Sequence, residues 1–290
     1  MNSIQLPEGV VLQCGQGGMP MVRVDADGGS AEIYLQGAHV THFQRNGEAP
    51  LLFLSRESKF TAGTPIRGGI PIIFPWFGAK EGAPAHGFAR NRTWELAGVQ
   101  TGAGGEIALR LKLPDGLMQD GPEWTIEYIV TVGAALMLEL LVTNASTRQE
   151  FTFENCLHTY FIVGDVDAVS IVGLNGVKYR DKVENFAEKT ESNPAIIFKS
   201  EVDRVYVDTT ATVEIHDPKL RRKIIVEKTG SASTVVWNPW IEKSKQMSDF
   251  GDEEYQNMVC VESGNVGKNL IILKPGGTSS LKVKLTNAAM

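Results

Sequence analysis

GEIALRLKLPDG, residues 105–116, alternates without a break from Ile107 to Leu113, with Ile or Leu at 107, 109, 111 and 113 and Ala, Arg and Lys between them. A period of two sends successive side chains to opposite faces of an extended chain, so this segment reads as a half-buried strand, followed by a turn at Pro-Asp-Gly. The habit recurs in both directions. MVRVDADGGSAEIYLQG (21–37) reads as strand, turn at Asp27-Gly28-Gly29 and strand, and WTIEYIVTVGAALMLELLVTN (124–144) as two strands around Gly133-Ala134. NLIILKPGGTSSLKVKLTN (269–287) reads as a hairpin around Pro275-Gly276-Gly277. Strands spaced by roughly 8–12 residues, with turn residues between them, predict an all-β sandwich or barrel. No long window carries an apolar period of 3.6, which leaves short helices over 56–60 and 249–257. No linker, charge block or repeat interrupts the chain. The expectation is one all-β domain over residues 1–290, a large antiparallel β-sandwich with few short helices and a cleft formed by loops or a sheet face.

Composition narrows the function. The 290 residues are 42% hydrophobic and 21% charged, with a net charge of -6. That balance disfavours nucleic acid or an anionic membrane as partner, while leaving room for a local basic pocket. MNSIQLPEGVVLQ at the start lacks the basic, apolar pattern of a secretory leader, and no run approaches the ~18 apolar residues of a membrane helix. Cys14, Cys156 and Cys260 form no CxxC pair, which fits reduced thiols in a cytoplasmic protein. No exposed apolar helix face is visible, so a monomer is expected.

Four stretches break the strand-and-turn habit. In TPIRGGIPIIFPWFG (64–78), Arg67 is the one charged residue in a packed, irregular segment. It is either the partner of a buried carboxylate or a guanidinium fork lining an anion pocket. APAHGFARNRTWEL (83–96) gathers His86, Arg90 and Arg92, as a surface loop or as part of a site. FENCLHTYFIVGDVD (153–167) sets His158 in an apolar strand. If 151–162 is one strand, Cys156, His158 and Tyr160 share a face, and His158 is either a core histidine satisfied by a backbone carbonyl or a functional group. In MVCVESGNV (258–266), Glu262 closes an apolar strand, where turn capping is the ordinary role. Trp237 and Trp240, in VVWNPWIEKS, offer flat apolar surface to a sugar ring or to the core. P-loop, GxGxxG, GxSxG, HxH and HExxH patterns are all missing, so neither a nucleotide site nor a zinc site has motif support. Cys156 and Cys260 read as small core residues.

TPIRGGIPIIFPWFG, HGFARNRTWEL, ENCLHTYF and VCVESGNV, in this order, resemble the D-hexose-6-phosphate mutarotases, the glucose-6-phosphate 1-epimerase branch of the aldose 1-epimerase family. The resemblance runs from about residue 30 onward and implies a β-sandwich of the galactose-mutarotase type. It implies catalytic roles for His158 and Glu262, sugar-binding roles for His86 and for Asp203 in FKSEVDRVYVD, and a 6-phosphate site at Arg67 and Arg90, with Arg92 the neighbour to be distinguished from it. Exchanging anomers by ring opening needs a base at the C1 hydroxyl and an acid at the ring oxygen, with no cofactor or metal. On this resemblance Glu262 is the base and His158 the acid. The alternatives are an epimerase of unphosphorylated aldoses and a non-catalytic sugar-phosphate-binding protein on the same sandwich.

Overall fold

Ile107, Leu109, Leu111 and Leu113 are all buried, and their strand is the second of a nine-stranded sheet. The computed structural model describes residues 5–114 and 123–290. Asp115 and Gly116 of the expected Pro-Asp-Gly turn lie outside them. From one edge the sheet runs Glu95–Thr101, Ile107–Lys112, Trp124–Val132, Leu136–Asn144, Thr278–Ala289, Arg222–Thr229, Val213–Asp217, Ser170–Val172 and Ala195–Ile197. Its ladders are antiparallel, and Trp124–Val132 alternates buried with half-buried positions along its whole length.

The buried face packs on an eight-stranded sheet. That sheet runs Ala187–Thr190, Lys178–Asp181, Val202–Val207, Ser233–Asn238, Met258–Asn265, Asn155–Leu157 and Ile72–Ile73, with Tyr160–Ile162 also paired to Met258–Asn265. A four-stranded meander of Val10–Cys14, Pro20–Ala26, Gly29–Tyr34 and His39–Arg45 completes the core. One apolar cluster joins all three: Val24 and Ile33 from the meander, Leu109, Tyr128 and Leu140 from the nine-stranded sheet, Tyr206, Val236 and Val261 from the eight-stranded one. Each fully buried aliphatic side chain contributes roughly 1.5–3 kcal/mol relative to exposure, which is what orders two such large sheets. The β-sandwich expected from alternation is therefore present.

Three local expectations are corrected. The turn at Pro275-Gly276-Gly277 forms, but its two flanking strands do not pair. Ile271–Leu273 pairs with Phe151–Phe153, while Thr278–Ala289 runs between Leu136–Asn144 and Arg222–Thr229. Among the described residues the α-helix is Trp240–Gln246, in a segment read only for its tryptophans; 56–60 is a turn and irregular chain, and 254–257 a single 3-10 turn. Seven residues are too few to display a helical period. Finally, 151–162 is three short strands. Phe151–Phe153 leaves for its own ladder, and the chain breaks again at His158-Thr159, where the Thr159 N–H donates to the Leu157 carbonyl at 3.0 Å.

Candidate active site

Residues paired directly across an antiparallel sheet project from the same face. Reading the eight-stranded sheet this way gives three rows on the face opposite Val236 and Val261. Asp203, Trp237, Cys260 and Tyr160 form the first, and Val205, Val235 and Glu262 the second. Val207, Ser233, Gly264, Cys156 and Ile73 form the third. Above them opens a cleft of about 670 Å³, with Arg67, His86, His158, Lys182, Asp203 and Glu262 among its walls. Ser233–Asn238 and Met258–Asn265 are buried along their whole length, because core covers one face and the cleft the other. Double coverage removes the alternation, so these strands show no period of two. It also places Glu262 inside a strand that runs on to Asn265, not at a strand end as a turn cap.

Glu262 is 1% exposed and His158 8%. Imidazole Nε2 lies 3.3 Å from Glu262 Oε1, and the Cys156 thiol donates to Oε2 at 3.6 Å. Nδ1 of the ring is buried without a hydrogen-bond partner among the described residues. The ring instead stacks on Tyr160 at 4.7 Å and meets Trp237 edge-on at 6.0 Å. Burial, and then the charge of Asp203, pushes the Glu262 carboxyl well above its usual range. Burial, and then His86, Arg90 and Arg67, pushes His158 well below its own. Both directions favour uncharged groups, which does not conflict with the close contact. Protonated Glu262 beside neutral His158 holds as many protons as carboxylate beside imidazolium, so the two are arrangements of one proton in a coupled pair.

The surrounding groups divide by role. The His86 backbone is left-handed, with φ +64°, a strained setting for a non-glycine residue. Its Nδ1 accepts the Gly78 N–H at 3.2 Å, and burial with the Arg90 and Lys182 charges holds it down to about 3. A neutral ring whose Nδ1 accepts must carry its proton on Nε2, as a donor. Arg67 has the carboxylate partner of its first reading and also stands on the cleft wall. It lines the cleft, donates to the Tyr160 hydroxyl at 2.9 Å and pairs with Asp249 at 3.1 Å, and its Nε is buried without a partner among the described residues. Burial opposes its charge, but Tyr160 and Asp249 outweigh that and hold its pKa above the usual value. Arg90 is not on the cleft wall. It donates to the Ala85 carbonyl at 2.9 Å, and burial with Arg67 nearby lowers it to about 10. Arg92 is exposed and outside the lining. Asp203 is on the wall and pairs at 2.7 Å with Lys182, whose ammonium also sits 5.5 Å over the Phe77 ring. Trp237 faces the cleft, whereas Trp240 opens the helix and packs on Tyr255. Lys182 and Asp249 were not foreseen. Neither sits in a recognisable motif, and only chain packing brings them to Asp203 and Arg67.

The Arg67 loop is held from behind. Gly68 and Gly69 have φ of +113° and +60°, and a Cβ on Gly69 would lie 2.3 Å from the Val40 carbonyl. Fully buried His39 donates from Nε2 to the Gly68 carbonyl at 2.7 Å. Burial, only partly offset by that bond and reinforced by Arg90, holds His39 down to about 4. Since its folded value lies below the unfolded ~6.5, the unfolded chain takes up the proton first on acidification. The stability conferred by neutral His39 is complete above ~6.5 and is lost as pH falls towards 4, a difference of about 3 kcal/mol. Urea unfolding at pH 7 and pH 4.5 should show this loss, and His39→Leu should remove that share of the pH dependence; an unchanged slope would contradict it.

The family model described as aldose 1-epimerase matches residues 20–286. The chain belongs to the aldose 1-epimerase family. It is similar to a protein of Cenchrus ciliaris provisionally named glucose-6-phosphate 1-epimerase, at 38% identity over 85% of this chain and 78% of that one. A protein of Escherichia coli K12 with the same provisional name is 34% identical over 88% of this chain and 86% of its own. Among solved structures, the provisionally named mutarotase YeaD of Salmonella typhimurium superposes with a TM-score of 0.90 at 31% identity, covering 99% of this chain and 96% of that one. The protein is thus an isomerase of the aldose 1-epimerase family on the mutarotase β-sandwich. No helix among the described residues is long and apolar enough to cross a membrane.

Proposed function

We propose that this chain interconverts the α and β anomers of a hexose 6-phosphate, with glucose 6-phosphate the first substrate to test. It would act as one domain and as a monomer in the cytoplasm, without nucleic acid as partner. The observation that carries the reading is the buried His158–Glu262 contact of 3.3 Å on a cleft whose wall also holds Arg67. Glu262 carboxylate takes the proton of the C1 hydroxyl while His158 gives one to the ring oxygen; the C1–ring oxygen bond breaks and an aldehyde forms. Rotation about C1–C2 and the reverse transfers close the ring on the other face. Opening leaves Glu262 protonated and His158 neutral, the arrangement burial already favours, so the pair is suited to the open-chain intermediate. Proton count is conserved at every step.

His86 Nε2–H and the Asp203–Lys182 pair orient hydroxyls. Arg67 holds the phosphate, and Arg90 acts at a distance by keeping His86 neutral. A phosphate dianion against Arg67 offsets one of the positive charges that hold His158 down, which favours imidazolium once substrate is bound. Binding energy gained away from C1 fixes the ring for proton transfer.

A second reading, epimerisation of unphosphorylated aldoses, is favoured by one fact: Arg67 already has a carboxylate partner in Asp249. Saturation-transfer NMR on glucose 6-phosphate and on glucose separates the two. Acceleration confined to, or far greater with, the phosphate sugar is expected. Equal acceleration moves the phosphate role aside, and no acceleration on either leaves a sugar-phosphate-binding protein.

A further inference from the structure

We propose that the floor of the cleft is a binding site for a borderline-soft divalent cation such as Zn²⁺, held by His158, Cys260 and Glu262, and that occupancy inhibits the enzyme reversibly. One ligand atom from each of these three buried residues lies within 4.8 Å of the other two. Cys260 precedes Glu262 by two on the same strand and is paired with Tyr160, on whose ring His158 stacks, so the ligands come from one rigid patch of sheet. A tetrahedral zinc site with bonds of ~2.0–2.3 Å needs ligand atoms about 3.3–3.6 Å apart, which asks for side-chain shifts of only about 1 Å. Entry is through the cleft that His158 and Glu262 line.

The donor set decides the class of ion. Thiolate, imidazole and a single carboxylate select Zn²⁺ and its neighbours over Mg²⁺ or Ca²⁺, which want oxygen cages. The site is also balanced in charge. Binding displaces the Cys260 thiol proton and the one proton held by the His158–Glu262 pair, so two protons leave as two positive charges enter. A buried neutral site stays neutral. Among the described residues imidazole Nδ1 has no hydrogen-bond partner, which weakens the site by roughly 10–100-fold relative to one with a complete outer shell. Capture is therefore reversible. A bound ion occupies both groups that move protons to and from the sugar.

The inhibitory consequence rests on the acid–base reading above; the binding does not. The full chain, freed of metal with EDTA, is titrated with Co²⁺ and read by absorbance, then with Zn²⁺ as competitor. A near-ultraviolet thiolate–cobalt band and strong visible bands of tetrahedral cobalt are expected. Both should disappear in Cys260→Ser and in His158→Ala, survive in Cys14→Ser, and be bleached by Zn²⁺ but not by Mg²⁺. Loss of either ligand should weaken Zn²⁺ by at least ~10-fold. In parallel, exchange of glucose 6-phosphate anomers should fall with one equivalent of Zn²⁺ and return with EDTA, while Cys260→Ser exchanges normally and ignores the ion. No thiolate band, or a band unchanged in folded Cys260→Ser, overturns the site. Spectral binding without inhibition overturns its regulatory meaning. Absent exchange even in EDTA, with the bands intact, overturns the mutarotase reading alone.

Discussion

Glu262→Gln should bring catalysed anomer exchange down by ~10²–10⁴-fold while leaving the fold in place. The substitution keeps the shape of the side chain and removes only its capacity to accept and return a proton. Folding should tolerate it, because burial already disfavours the charged carboxylate, and an uncharged amide at 1% exposure loses little that the acid had. The Cys156 thiol can donate to the amide oxygen as it does to Oε2. The assay is saturation transfer between the anomers of glucose 6-phosphate, alongside a thermal melt. A large loss of exchange with an unchanged melting temperature is the expected pair of results. Exchange at the unsubstituted rate in folded protein would remove Glu262 from the chemistry and with it the proposed division of labour with His158.

Arg67→Gln should raise KM for glucose 6-phosphate by ~100-fold and change the kinetics on glucose far less. Charge-assisted hydrogen bonds contribute about 1.5–3 kcal/mol each, and losing two of them from a phosphate amounts to about 3 kcal/mol, or two powers of ten. Gln is preferred to Ala because it keeps most of the side-chain stem and a polar end while removing the guanidinium that donates to Tyr160 at 2.9 Å. Asp249 loses its ion-pair partner in either variant, but its side chain is 19% exposed and water can reach it. A matched loss on both sugars would assign Arg67 to holding the cleft in shape and return the phosphate contact to other cations on its wall, Lys182 first among them.

The alternating segments 107–113, 124–132 and 136–144 were legible because each has one face in the core and one nearer solvent. The two strands that carry the site were not legible as such: Ser233–Asn238 and Met258–Asn265 are covered on both faces, and double coverage erases the period. His158 and Glu262 could be singled out because a titratable group in an apolar run is conspicuous. Their 3.3 Å contact could not, since it joins residues more than a hundred positions apart across a strand pair. Lys182 and Asp249 escaped notice for the opposite reason. They sit in ordinary charged surroundings and matter only because Asp203 and Arg67 are brought to them. The parting of the strands around Pro275 is likewise invisible locally, because a turn specifies a change of direction and not the partner of the strand that follows.

That parting has a consequence for how the molecule is made. Thr278–Ala289 is the fifth of nine strands, the middle of its sheet, and both its neighbours are translated earlier. Until it leaves the ribosome, Leu136–Asn144 and Arg222–Thr229 each present an open edge where a strand is missing, in a chain whose contacts already span long separations. Vectorial synthesis therefore delivers the middle strand after both of its neighbours, and the nascent polypeptide must keep two unpaired borders from other chains until Thr278–Ala289 slides between them.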